Sequence, residues 1–163
     1  MKRYKLTTKD VTTHKGYKWE VGVEQVITTP GNKLCSPEVF HFYDSPEIAL
    51  LMNPAHANIE NPVVWEVKCD EVAHDGTKGG AKRMTLVKRV PAPKFTRNQR
   101  TAFAIKTALA VYKNKAFVTW ANDWLSGIDR SKGAAYAANA ANAAANLRKA
   151  IKAAAVFAVK FEK

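Results

Sequence analysis

Val90-Pro91-Ala92-Pro93-Lys94 is the stretch that decides how this sequence folds. Two prolines one residue apart fix φ and push their predecessors into extended backbone, so the segment reads as a stiff joint. The composition changes across it. Residues 1–93 carry 13 basic and 11 acidic side chains, a net of +2, while residues 94–163 carry 13 basic and 3 acidic ones, a net of +10. All seven prolines and six of the eight glycines precede residue 94, and 20 of the last 70 residues are alanine. The reading is an α+β chain in two parts: a sheet-rich domain over 1–93 and a basic, alanine-rich helical segment over 94–163.

Before the joint, apolar residues alternate instead of recurring every three or four positions. Met84-Thr85-Leu86-Val87-Lys88-Arg89-Val90 is a strand, and Val63-Val64-Trp65-Glu66-Val67-Lys68-Cys69 is a stronger one. Arg3 to Thr8, Tyr17 to Val21, Val23 to Thr29 and Val39 to Tyr43 complete the strand set, the third closed by a Pro30-Gly31-Asn32-Lys33 turn. Ser45 is a helix N-cap, with Pro46 in the first turn and Glu47 on the helix dipole. That helix is expected to run through Met52 and stop before Pro54. Asp75 to Gly80 reads as a flexible turn. The expectation is a small, mainly antiparallel sheet with one short helix.

After the joint the period becomes helical. Helices are expected over Gln99–Tyr112, over Ala116–Leu125 with Phe117, Trp120 and Trp124 locking them together, and from Asp129 or Ser131 to Phe161. Ser126-Gly127 ends the second. The third would be about 45 Å long.

Whole-chain numbers set the class. With 163 residues, 47% apolar and 25% charged, the chain can bury a core and is not disordered. No window is apolar enough to span a membrane, and Met1 to Thr8 lacks the apolar run of a secretory signal. Cys35 and Cys69 cannot make a disulfide framework, which suits a reducing cytoplasm.

The blocks Gly16-Tyr17-Lys18-Trp19-Glu20-Val21-Gly22, Leu34-Cys35, Phe40-His41-Phe42, Trp65-Glu66-Val67, Asp75-Gly76-Thr77-Lys78 and Leu86-Val87-Lys88-Arg89-Val90 follow one another in a recognisable order. Over about residues 10–90 the chain resembles an uncharacterised domain encoded mainly by phages and prophages. Val39 stands where that domain usually has glycine before Phe-His, and Tyr43 where a second cysteine is common. The helical tail is similar to those of phage and bacterial immunity-type proteins. The resemblance implies a viral accessory protein acting in the host cytoplasm, and supplies no activity.

Two chemistries compete for the function. The first is binding through the basic part. Lys94, Arg97, Arg100, Lys106, Lys113, Lys115, Arg130, Lys132, Arg148, Lys149 and Lys152 outnumber the acids near them, and such a surface attracts phosphates. Asn139, Asn142 and Asn146 would add hydrogen bonds to phosphate or base edges. The partner is then nucleic acid or an acidic surface of a host protein complex; a membrane partner does not suit an alanine-rich helix with few bulky apolar residues. The second chemistry uses His41, Tyr43 and Glu66, whose layout is similar to small ADP-ribosyltransferase-like folds. There His41 or Tyr43 would hold nicotinamide and Glu66 would stabilise an oxocarbenium charge. His41 as an ordinary sheet histidine and Glu66 as a solvent-face residue explain the same pattern. No Cys-x-x-Cys or His-x-x-x-His pair exists, so no metal and no cofactor is called for. Oligomeric state is not legible.

Overall fold

The computed structural model describes residues 1–128, 130 and 148–161, and for 148–150 the backbone alone. The chain divides into two compact units, Met1–Pro93 and Lys94–Lys163. The architecture is α+β.

The first unit has five strands: β1 (Arg3–Thr7), β2 (Glu24–Val26), β3 (Phe40–Tyr43), β4 (Val63–His74) and β5 (Lys78–Val90). All pairings are antiparallel. β1 lies between β3 and β4, and β5 pairs with both β4 and β3, so these four strands close on themselves into a small barrel. β2 pairs with β5 alone, alongside Arg83, Met84 and Thr85. Closure needs strong coiling of the long β4–β5 hairpin, and register shifts at Glu66/Val67, Cys69/Glu71 and Glu71/Ala73 supply it.

Alternation sorts the side chains. Phe40, Phe42, Trp65, Val67, Ala81, Met84 and Leu86 point inward with Trp19. Thr7 also faces in, its Oγ1 accepting the Trp65 indole N–H at 2.9 Å. Lys5 shares this face: it is 7% exposed, donates from Nζ to the His41 carbonyl at 2.9 Å, and lies 4.7 Å from the Trp19 ring centre. The outward-facing residues of β1 and β3 meet α1 (Pro46–His56), which packs on those two strands through a face that includes Ile48, Leu51 and Met52.

Several expectations change here. Tyr17 to Val21 is no strand. Lys18 forms a lone bridge with Thr12, and Gly22 turns the chain at φ 82°. The alternation there serves to drop Trp19 onto the barrel interior. The helix does not stop before Pro54 but carries it in its last turn, where Asn53 ends the helix by accepting the Ala57 and Asn58 N–H groups. Gly79 and Gly80 belong to β5 and are buried. A Cβ at Gly79 would run into the Phe42 ring, and one at Gly80 would come within 2.7 Å of Val39 Cγ2. These glycines are there for close approach, not for flexibility.

The second unit contains α2 (Arg97–Leu109), α3 (Lys115–Ser126) and α4 (Arg148–Lys160) among its described residues. α2 starts two residues earlier than expected because Thr96 and Gln99 form a capping box, each side chain bonding the other's backbone N–H. Asn114 caps α3, accepting the Phe117 N–H, and Gly127 ends it at φ 85°. Ala102, Ile105, Ala108, Phe117, Ala121, Trp124 and Phe161 form the core. Gln99 ties the start of α2 to the far end of α4 through the Phe161 carbonyl at 3.3 Å. Of the long helix expected from Asp129 or Ser131 to Phe161, residues 131–147 lie outside the described residues.

Candidate functional site

The cations of the second unit separate into two kinds. Arg130 is recruited into the structure: its guanidinium sits 5.3 Å from the ring centres of both Trp124 and Phe161, and Nε donates to the Trp124 carbonyl at 3.4 Å. Lys106 lies 4.5 Å from the Phe157 ring centre. Lys113 closes the end of α2, donating to the Leu109 carbonyl at 2.6 Å. These three side chains make contacts within the second unit, and Lys113 and Arg130 remain exposed.

Lys94, Arg97, Arg100 and Lys115 are different. All four are exposed, and none makes an ion pair with a described residue. Arg100 leans over the Phe95 ring at 5.7 Å, which orients the guanidinium without neutralising it. Lys94, Arg97 and Arg100 lie at the entry to α2, and Lys115 follows its other end. The 13 residues of α2 span about 20 Å. Cations at a helix N-terminus face the positive end of the macrodipole and destabilise the helix by some tenths of a kcal/mol each, so an anion docked there would be doubly favoured. Lys152 is exposed on α4. Nothing is described of the Arg148 and Lys149 side chains, and Lys132, Asn139, Asn142 and Asn146 lie outside the described residues.

Four of the 13 basic side chains of the first unit are ion-paired. Arg3 pairs with Asp44 at 2.8 Å and with Glu71, Arg83 pairs with Glu24, and Lys2 and Lys88 reach Glu66 at 3.3 and 3.7 Å.

Those pairs bear on the second chemistry. Tyr4 stands opposite both Tyr43 and Glu66, so these two residues face the same outer side but two strands apart, about 10 Å at the usual strand spacing. Tyr43 is buried and stacks on His56 of α1, ring centres 5.9 Å apart, and burial raises its pKa. His41 Nε2 accepts the Cys35 N–H at 2.8 Å. Burial, followed by the nearby Lys5 and Lys78 charges, holds His41 neutral with a pKa of about 4. Two open hollows, about 410 Å³ over Ala153, Val156, Phe157, Lys160 and Phe161 and about 300 Å³ beside Thr8, Asp10 and Glu60, are lined by none of His41, Tyr43 and Glu66.

Sequence reasoning missed one juxtaposition on this outer face. Lys78, 6% exposed, donates from Nζ to Cys35 Sγ at 2.9 Å across 43 positions of sequence. Among the described residues no cluster of His, Cys, Asp and Glu is arranged to hold a metal ion. No helix among them is long and apolar enough to cross a membrane.

The capped, ion-paired barrel and the start of α2 coincide with a family model that matches residues 1–98, described as Domain of unknown function (DUF7666). The chain belongs to the DUF7666 family. The match takes in the Thr96 cap and the first two residues of α2, so the DUF7666 region reaches Lys94 and Arg97 and stops before Arg100. No curated protein and no solved structure matches the chain.

Proposed function

We propose that this chain binds nucleic acid through its second unit, with Lys94, Arg97 and Arg100 at the entry to α2 as the principal phosphate contacts and Lys115 and the α4 lysines extending the surface. The observation that carries the reading is the charge excess of the second unit, where 13 basic side chains stand against 3 acidic ones. Lys94, Arg97, Arg100 and Lys115 are exposed and make no ion pair with a described residue. A cation without an internal partner is free to replace the counterions of a polyanion, and the released ions drive association. Phosphate contacts of this kind position a protein on a nucleic acid without reading its sequence. The resemblance of residues 10–90 to a phage- and prophage-encoded domain supports the setting: a viral accessory protein in the host cytoplasm, acting on nucleic acid or on a host defence or nucleic-acid-processing complex.

The test is fluorescence anisotropy of a labelled DNA duplex and a labelled single strand with the full chain and with Lys94→Gln/Arg97→Gln/Arg100→Gln. Binding that drops at least tenfold in the triple variant, with the helical circular dichroism unchanged, supports the reading. Equal binding by the two proteins removes it.

A further inference from the structure

The contact between Lys78 and Cys35 has an unusual environment. Lys78 is the first residue of β5, and pairing with Tyr43 aims it at the outer face of the barrel. It is 94% removed from solvent by its 6% exposure, and no carboxylate lies within ion-pair distance among the described residues. The Cys35 sulfur is the partner its ammonium donates to, at 2.9 Å. Cys35 itself is exposed. A buried cation facing an open thiol places a nitrogen and a sulfur in contact, with solvent on the sulfur side only.

The loop holding Cys35 is tied down on several sides. Its N–H donates to His41 Nε2 at 2.8 Å, and its backbone sits at φ 61°, in the left-handed region that non-glycine residues seldom adopt. Glu38 accepts the Lys33 N–H at 2.8 Å, and Ser36 Oγ donates to the Lys33 carbonyl at 2.7 Å. The turn that launches Lys78 is equally fixed, because Asp75 Oδ1 accepts the N–H groups of Thr77 and Lys78 at 3.0 Å each. Sulfur and nitrogen are thus presented to each other by two braced segments, the geometry in which an intramolecular step outruns an external one.

We propose that Cys35 and Lys78 form a covalent sulfur–nitrogen cross-link on exposure to a peroxide, making this pair an oxidative modification site. In the first step the Cys35 thiolate attacks one peroxide oxygen. The O–O bond breaks, an S–O bond forms, and with one proton the second oxygen leaves as water, leaving the sulfenic acid. In the second step the Lys78 nitrogen, having released a proton, attacks that sulfur. An S–N bond forms, the S–O bond breaks, and hydroxide leaves as water with a proton from the nitrogen. The sulfur is oxidised by two electrons and the peroxide reduced by two. Two equivalents of an external thiol restore both side chains and leave as their disulfide. Cys69 is the internal contrast: burial pushes its thiol up to about 11, which keeps it protonated and unreactive.

The experiment treats the full chain carrying Cys69→Ala with a small excess of hydrogen peroxide, then reads the intact mass and maps the peptides. The expected product has lost two hydrogens, joins the Cys35 peptide to the Lys78 peptide, resists tryptic cleavage after Lys78 and reverts with dithiothreitol. Lys78→Arg, which keeps a cation at the site, should form no cross-link, and its sulfenic acid should be oxidised further to the sulfinic acid. If the unaltered pair also ends as sulfinic acid, the proposal fails. A disulfide-linked dimer overturns it too, as does a two-hydrogen loss confined to the Cys35 peptide, which would mean ring closure on the Ser36 nitrogen. Because the mapping is done on the unaltered pair, its result stands even if Lys78→Arg does not fold.

Discussion

Replacing Lys5 by Met should stabilise the barrel at neutral pH. Lys5 is buried between Trp19 and the His41 carbonyl, and burial, only partly opposed by Cys69, lowers its pKa to about 7 from 10.5. Between those two values the unfolded chain holds a proton that the folded chain has released. Stability therefore rises with pH across the window, by up to ~1.4 kcal/mol per pH unit. At pH 7 the unfolded state is favoured by about 4 kcal/mol through this one group. Met fills nearly the same volume and carries no charge, but it forfeits the hydrogen bond to the His41 carbonyl, worth about 1–1.5 kcal/mol. The net expectation is a gain of about 2–3 kcal/mol at pH 7 that shrinks as pH rises and disappears at about pH 9.5, where the falling charge penalty equals the lost hydrogen bond. Urea unfolding followed at the amide protons of β1 and β4, at pH 7, 8, 9 and 10, measures it within this unit alone. A wild-type stability that is flat over this range, or a Lys5→Met variant weakened at pH 7, would refute the argument.

Acid should act on the outer face. His41 and His56 are both held near pKa 4, mainly by burial, and the unfolded chain binds their protons from pH 6.5 downward. Stability should then fall as pH drops from 6.5 to 4, by about 1–2 kcal/mol per histidine once the solvent reaching each ring is allowed for. His56→Phe, which keeps the stack on Tyr43 and removes the buried, unpartnered Nδ1, should flatten that slope in an acid titration followed by tyrosine and tryptophan signals. Gly79→Ala drives a methyl group into the Phe42 ring, and should destabilise the barrel by about 1–3 kcal/mol in the same urea assay, against almost nothing for a solvent-face change such as Lys88→Gln.

Much of the fold was legible because local rules and tertiary structure agree. The Ser45 cap, the β4 and β5 alternation and the Gly127 terminus are each written in a few adjacent residues. Thr96-x-x-Gln99 marks the start of α2 just as openly, as a capping-box pattern. Tyr17 to Val21 misled because alternation reports a two-sided environment, and a loop that plugs a barrel end with Trp19 supplies one without a ladder. Barrel closure was hidden since it depends on β1 meeting both β3 and β4, pairings that no short window contains. The site was legible as a charge excess only. Composition counts Arg130, Lys106 and Lys113 with the rest, while the structure uses them for ring contacts and a helix end. Lys78 and Cys35 meet through two turns and a strand register, which sequence spacing does not encode.

The central claim is that unpaired cations at the entry to α2 bind phosphate, and the slope of log K against log salt for a labelled duplex tests it most directly. Each phosphate neutralised contributes about −0.9 to that slope, so Lys94, Arg97 and Arg100 together account for about −2.7. The account predicts a wild-type slope at least that steep and a Lys94→Gln/Arg97→Gln/Arg100→Gln slope shallower by about that amount. A flat wild-type response, or the same slope in both proteins, would contradict it.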